Sequence, residues 1–161
     1  MPQSNLTWNT VKKELRKRSY GIISTISKDG RPHSTGILYA TSNVDQFCLY
    51  VLTDKSSAKA RNITHNPNIS FVVPIPRRLL RFIPPGSVQF QGTAEIVPLS
   101  EDVRKAFSRS IALRQTLGSA STDDSCFVKI IPDTVVFTYG LGVSLMQLVR
   151  NPDSAVGKVR I

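Results

Sequence analysis

The chain has 161 residues, 40% of them apolar and 20% charged, which is enough for a proper hydrophobic core. Lysine and arginine total 21 against 11 acidic residues, and the resulting net charge of +10 suggests an anionic partner: nucleic acid, a membrane surface or a phosphorylated small molecule. The apolar runs are too short for a transmembrane helix, and the first ten residues lack the apolar core of a secretion signal. We therefore expect a cytoplasmic protein that needs no membrane.

Residues 7–18 predict an amphipathic helix with Thr7 as its N-cap and Trp8, Val11 and Leu15 on one face. We interpret the lysines and arginines of the opposite face as solvated. Nucleic acid is not an expected partner, because these cations lack the interleaved aromatic residues that stack on bases.

The following segments have the composition and alternation of short β-strands. Asp29-Gly30 predicts a tight hairpin turn between the first two strands, because such turns require positive φ. The third strand is apolar on both faces, so we expect a cover on each side. The predicted strands are residues 20–27, 33–41, 47–53, 69–75 and 87–97.

One helix is predicted from Ser56 to His65, with Ala60 and Ile63 facing inward and Lys59, Arg61 and Asn62 more exposed. Another is predicted from Leu99 to Leu117. The second helix has an apolar stripe of Val103, Ala106, Phe107 and Ile111.

Residues 126–139 predict a final hairpin. The tail at 141–161 has no clear period, and the sequence leaves open whether it packs across a partner subunit.

Cys48 and Cys126 each lie in an apolar run and are expected to be buried, reduced thiols. The whole pattern predicts one mainly β domain over residues 1–161, built as a small antiparallel barrel with a few helices, the first of them within residues 1–18.

Three segments in order, "DGRPH" (29–33), "TDKSSAKARNI" (53–63) and "NPNISF" (66–71), resemble the pyridoxamine 5′-phosphate oxidase-like, FMN-binding split-barrel family. The resemblance covers residues 6–140. It implies a six-stranded antiparallel split β-barrel that forms a homodimer with its cofactor sites at the interface. It also implies an FMN-dependent oxidoreductase acting on a small-molecule substrate, in which the cofactor carries the chemistry.

By the same resemblance, the segment after the third strand holds the flavin phosphate. Thr53 and Ser57 can donate hydroxyl hydrogen bonds, and Lys59 adds a positive charge beside the free amides of the helix start. Lys55 or Arg61 can add another charge. Ala58 stands where the family often has an arginine, so one phosphate contact is lost or comes from elsewhere.

The strand "HSTGILY" resembles the family strand beside the isoalloxazine ring. We expect Ser34, Thr35, Gly36 and Ile37 to meet the ring edge, mainly through backbone groups. Ser87 and Gln89 resemble residues that the second subunit contributes.

The sequence nominates no catalytic residue and no metal ligands. The C-terminal part lacks the arginine- and histidine-bearing motif with which true oxidases of this family hold pyridoxal phosphate, so we do not expect that activity. The two histidines, His33 and His65, are interpreted as structural, with His33 the better functional candidate.

Two other cofactors stay open on the same fold. A deazaflavin has an acidic tail that would suit Arg77, Arg78 and Arg81, although a solvated loop is the favoured interpretation of these arginines. A non-enzymatic flavin or haem carrier is the second alternative; haem would need His33 or His65 as its axial ligand.

Overall fold

The computed structural model describes residues 6–42, 44–76, 85–119 and 123–161, which are organised around one antiparallel sheet. The strands are β1 (Tyr20–Ile26), β2 (Pro32–Ser42), β3 (Cys48–Asp54), β4 (Asn68–Ile75), β5 (Gly86–Val97), β6 (Ser125–Tyr139) and β7 (Val156–Arg160). The helices are α1 (Trp8–Arg16), α2 (Ala58–His65), α3 (Glu101–Phe107), α4 (Ile111–Gly118) and α5 (Leu145–Arg150), with a 3₁₀ turn at Pro152–Ala155.

The sheet closes on itself. Its strands follow the order β3-β2-β1-β4-β5-β6-β7, and β3 also pairs with β6, from Leu49 opposite Ile130 to Asp54 opposite Ser125. This second pairing joins the two ends of the six-stranded series β3-β2-β1-β4-β5-β6 and removes its free edges. The predicted six-stranded antiparallel barrel is confirmed, and β7 is added outside the ring along the second half of β6.

Alternate residues of the strands fill the barrel with large rings, among them Tyr39, Phe71 and Phe90. The predicted first helix is confirmed, since Thr7 caps α1 and its buried residues Val11 and Leu15 join this core. Helix α2 contributes Ile63 to the same core.

The two-sided cover predicted for the third strand is also confirmed. Leu49 and Val51 face the barrel core, whereas Cys48 and Tyr50 join a second cluster under α3. Both cysteines are free and buried, as expected. The Asp29-Gly30 turn is present, with Gly30 at a φ of 79°. In the described parts of the chain, the helices are too short or too polar to cross a membrane.

The prediction of one helix from Leu99 to Leu117 was wrong. The segment forms α3 and α4, because Ser110 leaves helical geometry and its side chain caps the amide of Leu113. Between the two helices, Arg109 donates to the backbone oxygen of Thr41 at 3.1 Å and to its hydroxyl at 2.7 Å. Ile111, predicted in the apolar stripe, is 68% exposed at the start of α4.

The predicted final hairpin was also wrong, because β6 runs unbroken through Pro132 and Asp133. A β-bulge accommodates the proline. Phe90 pairs with Val136 and Gly92 pairs with Pro132, so β5 advances by two residues where β6 advances by four. A Cβ added at Gly92 would collide with the carbonyl oxygen of Ile131, so this close approach requires glycine.

The C-terminal tail lies along its own chain. Its strand β7 pairs with residues 135–139 of β6, and α5 with the 3₁₀ turn packs Leu148 and Ala155 beside Tyr139.

Replacing Tyr39 with phenylalanine should lower the free energy of unfolding by about 1 kcal/mol. The Tyr39 hydroxyl is buried and donates to the carbonyl oxygen of Leu15 at 2.8 Å, which ties α1 to the barrel. Urea denaturation measures the change. The matched control is Tyr20→Phe, whose side chain is 50% exposed and whose effect should stay within about 0.5 kcal/mol. Equal effects of the two substitutions would contradict the role given to the Tyr39 hydroxyl.

Candidate functional site

The candidate site begins where β3 separates from β2. The ladder between these strands runs from Ser42 opposite Cys48 to Tyr39 opposite Val51 and stops there. Beyond it, the residues 52–54 of β3 pair with β6, whereas residues 32–38 of β2 pair with β1. The facing edges of the two strands are therefore unpaired over this stretch, and a slot opens between them.

Three of the predicted phosphate ligands meet at one end of this slot. Lys59 Nζ donates to Thr53 Oγ1 at 3.0 Å, and Thr53 Oγ1 donates to Ser57 Oγ at 3.1 Å. Ser57 is the N-cap of α2, and its side chain accepts the amide of Ala60 at 3.2 Å. We call Thr53, Ser57 and Lys59 the donor cluster.

The donor cluster has more hydrogen-bond donors than acceptors. The ammonium group of Lys59 carries three N–H bonds, of which the contact with Thr53 uses one. The first-turn amides of Ala58 and Lys59 have no partner within their own helix. Among the described residues, Lys59 has no carboxylate within ion-pair distance (the ion pairs there are those of Glu14, Asp29 and Glu101). The cluster is thus suited to a ligand that only accepts hydrogen bonds and carries negative charge.

The structure does not bring Lys55 and Arg61 into the donor cluster. The exposed Lys55 donates to the carbonyl oxygen of Asp123 at 2.7 Å, and Arg61 donates to the carbonyl oxygen of Ser56. Asn62, which the sequence placed among the more exposed residues of the helix, is buried and donates to Thr25 Oγ1 at 2.9 Å. That hydrogen bond fixes α2 against β1. The sequence pattern of the helix did not predict it, because a single asparagine gives no indication of a distant partner.

The four predicted ring-side residues lie on β2 along the slot. Ile37 is buried in the barrel core, and Ser34 shares a hydrogen bond of 2.7 Å with Ser24 on the outer face. A side chain at Gly36 would collide with the hydroxyl of Tyr20. The outer side of Gly36 is therefore covered by a phenol ring, so the backbone edge toward β3 is what a flat ligand could approach.

Ser87 and Gln89 are not near these residues within one chain. On the outer face, a row of paired residues runs from Gly36 through Ile22 and Val72 to Gln89. Two strands lie between β2 and β5, which puts Gln89 about 14 Å from Gly36 at the usual strand spacing. A second copy of the chain would be needed to bring them together.

The same outer face is apolar and uncovered. Large side chains there are partly exposed: Tyr20 at 50%, Phe137 at 41%, and Ile26 and Leu38 at 38% each. The strand registers place all four on the side of the sheet that carries Gly36 and Gln89. Such a patch is typical of a protein contact surface.

A cleft of about 370 Å³ opens beside Ser24, where β1 and β4 diverge beyond the pair Ser24 and Ser70. Polar side chains from four strands, β1, β4, β5 and β6, line it, including those of Gln91 and Asp133.

His33 and His65 are both exposed and lie outside this cleft. The described residues contain no group of three histidine, cysteine or acidic side chains that could hold a metal ion. Arg77, Arg78 and Arg81, considered for a deazaflavin tail, fall outside the described residues.

Comparison with known proteins identifies the family. Residues 8–139 match the family described as pyridoxamine 5′-phosphate oxidase, which is most of the chain. No curated protein sequence matches the chain.

Three solved structures share the fold. The haem-binding protein of Mycobacterium smegmatis has a TM-score of 0.67 at 15% identity, over 81% of this chain and 52% of that one, so this chain spans about half its length. The haem storage protein HutZ of Vibrio cholerae has a TM-score of 0.66 at 20% identity, over 84% of this chain and 96% of that one. A pyridoxamine 5′-phosphate oxidase-related, FMN-binding protein of Nostoc punctiforme has a TM-score of 0.61 at 16% identity, over 99% of both chains.

The two thiols should react slowly with Ellman's reagent in the folded protein. Burial raises the pKa of both thiols, Cys48 and Cys126. Cys126 lies opposite Thr53 in the β3–β6 ladder. A raised pKa means less thiolate at pH 8, so we expect a rate at least about tenfold below that in 8 M urea, where both thiols should titrate. A cysteine that reacts equally fast with and without urea would contradict this burial.

Proposed function

The chain belongs to the pyridoxamine 5′-phosphate oxidase family, and from that premise we propose that it is an FMN-dependent oxidoreductase. The observation that carries the proposal is the donor cluster: two hydroxyls and a lysine without a carboxylate partner among the described residues, at the start of a helix and beside a slot in the sheet. A phosphate dianion accepts hydrogen bonds on every oxygen and therefore matches this set of donors.

The roles of the individual residues follow from their contacts. Lys59 would neutralise part of the phosphate charge with the N–H bonds that Thr53 leaves free. Ser57 would donate its own hydrogen while continuing to accept the amide of Ala60, so the helix keeps its cap. The amides of the first turn and the helix dipole add to the attraction.

The remainder of the cofactor would extend from the donor cluster along the slot between β2 and β3. The backbone groups of residues 34–37 on that edge have no strand partner and are available to a flat, hydrogen-bonding ring. FMN would supply hydride transfer when bound, while the chain binds, orients and shields it. The cleft beside Ser24 provides space for a small polar substrate.

A homodimer completes this proposal. A second copy packed on the apolar outer face would cover Leu38 and Phe137, and it would bring its own Ser87 and Gln89 toward the slot. Free buried thiols suit a cytoplasmic location.

Haem transport or storage is a second candidate, because two of the structures that share the fold are described as haem proteins. It would use His33 or His65, each on the surface. A deazaflavin would use the same donor cluster as FMN. The absorbance spectrum of the purified protein distinguishes a flavin from a haem. Parallel titrations with FMN and a deazaflavin show which of these two cofactors binds more tightly.

Replacing Lys59 with alanine should weaken FMN binding at least tenfold, which is about 1.4 kcal/mol, because one charged donor is lost. The double variant Ser57→Ala, Lys59→Ala should weaken it further. Quenching of FMN fluorescence measures the affinity.

The matched control is Lys55→Ala, which removes the same charge from a lysine turned toward Asp123. It should bind FMN as tightly as the unaltered protein. Equal losses in Lys59→Ala and Lys55→Ala would mean that general charge, not the donor cluster, attracts the cofactor. Thermal unfolding of each variant checks that Ser57→Ala has not melted α2, since loss of an N-cap costs about 1 kcal/mol.

The dimer makes a separate prediction. Leu38→Lys places a charge on the apolar outer face and should convert the dimer to a monomer in sedimentation velocity. Val44→Lys, at a turn residue that is 67% exposed, should leave the dimer intact. A Leu38→Lys protein that stays dimeric would place the interface elsewhere.

A further inference from the structure

A second concentration of positive charge lies away from the donor cluster. A small cavity of about 100 Å³ is enclosed by the end of α1, by β2 and by the start of α4. Four cationic residues contribute to its lining: Arg16, Lys17, Arg18 and Arg109. We call this cavity the basic pocket.

The charges around the basic pocket are not balanced. Glu14 is the one carboxylate that pairs with them among the described residues, and it is shared by Lys17 at 2.8 Å and Arg18 at 2.6 Å. Four positive charges against one negative charge leave an excess of +3 around a small volume. Such mutual repulsion is relieved when an anion enters.

The cations come from two distant parts of the chain. The end of a helix attracts positive side chains, which accounts for Arg16, Lys17 and Arg18 at the end of α1. Arg109 follows the end of a different helix, α3, and two hydrogen bonds anchor it on Thr41 of β2 beside the other three. The fold therefore brings a fourth cation to a place that already has three.

We propose that the basic pocket binds the phosphate group of a small molecule, either inorganic phosphate or a phosphate monoester. Its volume corresponds to about three water molecules at roughly 30 Å³ each, which suits a phosphate group. Arginine suits the role because its planar fork can donate two parallel hydrogen bonds to phosphate oxygens.

The basic pocket is open on one side. A wider cleft of about 420 Å³ shares Lys17, Arg18 and Ser19 with it. The organic part of a phosphate monoester would lie in that cleft while its phosphate enters the basic pocket.

The site is tested by calorimetric titration with inorganic phosphate, at constant ionic strength maintained with chloride. The Lys59→Ala protein is used throughout, so that the donor cluster contributes little. Phosphate should bind at one site per chain. Adding Arg16→Gln, which removes a cation with no carboxylate partner among the described residues, should weaken binding about tenfold.

The matched control is Arg114→Gln, which removes an exposed arginine of α4 that does not line the basic pocket. It should leave the affinity unchanged. Equal weakening by Arg16→Gln and Arg114→Gln, or no uptake of phosphate at all, would overturn the proposal.

A parallel titration with AMP distinguishes the two sources of the phosphate group. Tighter binding of AMP than of inorganic phosphate, lost in Arg16→Gln, would identify a monoester that also uses the wider cleft. Equal affinities, both lost in Arg16→Gln, would identify the phosphate group alone. Because these experiments omit FMN and the lysine proposed to hold it, their outcome does not depend on the proposed function.

Discussion

The change of partner along β3 is the constraint on which the rest of the structure depends. Over its first half, β3 pairs with both β2 and β6, and over residues 52–54 it keeps β6 alone. The pairing with β6 closes the barrel, and the separation from β2 opens a slot in its wall. Thr53 lies on the part of the strand that has left β2, and the chain then turns into α2. Closure and the candidate site therefore have a common origin.

Rigid strands and short helices contribute differently to the two anion sites that we propose. The strands hold Thr53 and Thr41 in fixed positions, and neighbouring segments bring cations onto them: Lys59 onto the first, Arg109 onto the second. In each case a hydroxyl of the barrel fixes a charged side chain that would otherwise move freely. Part of the net charge of +10 is therefore held at defined positions in the structure.

Much of the fold could be predicted, because local patterns decide it. The Asp29-Gly30 turn, the Thr7 cap and the two apolar faces of β3 are signals within a few residues of the chain. Other features depend on distant partners. Pro132-Asp133 has the composition of a turn, yet Gly92 on the neighbouring strand leaves room for a bulge. No residue near Lys55 in the sequence indicates that its side chain will donate to the carbonyl oxygen of Asp123. Arg16 and Arg109 are far apart in the sequence, and only folding places them around one pocket.

The central claim is that the donor cluster recognises a phosphate group on a flavin. Comparing FMN with riboflavin tests it most directly, because riboflavin has the same ring system without the phosphate. We expect the apo protein to bind FMN at least about tenfold more tightly than riboflavin at physiological salt, since Thr53, Ser57 and Lys59 would contact the phosphate alone. Equal affinities for the two flavins would contradict it.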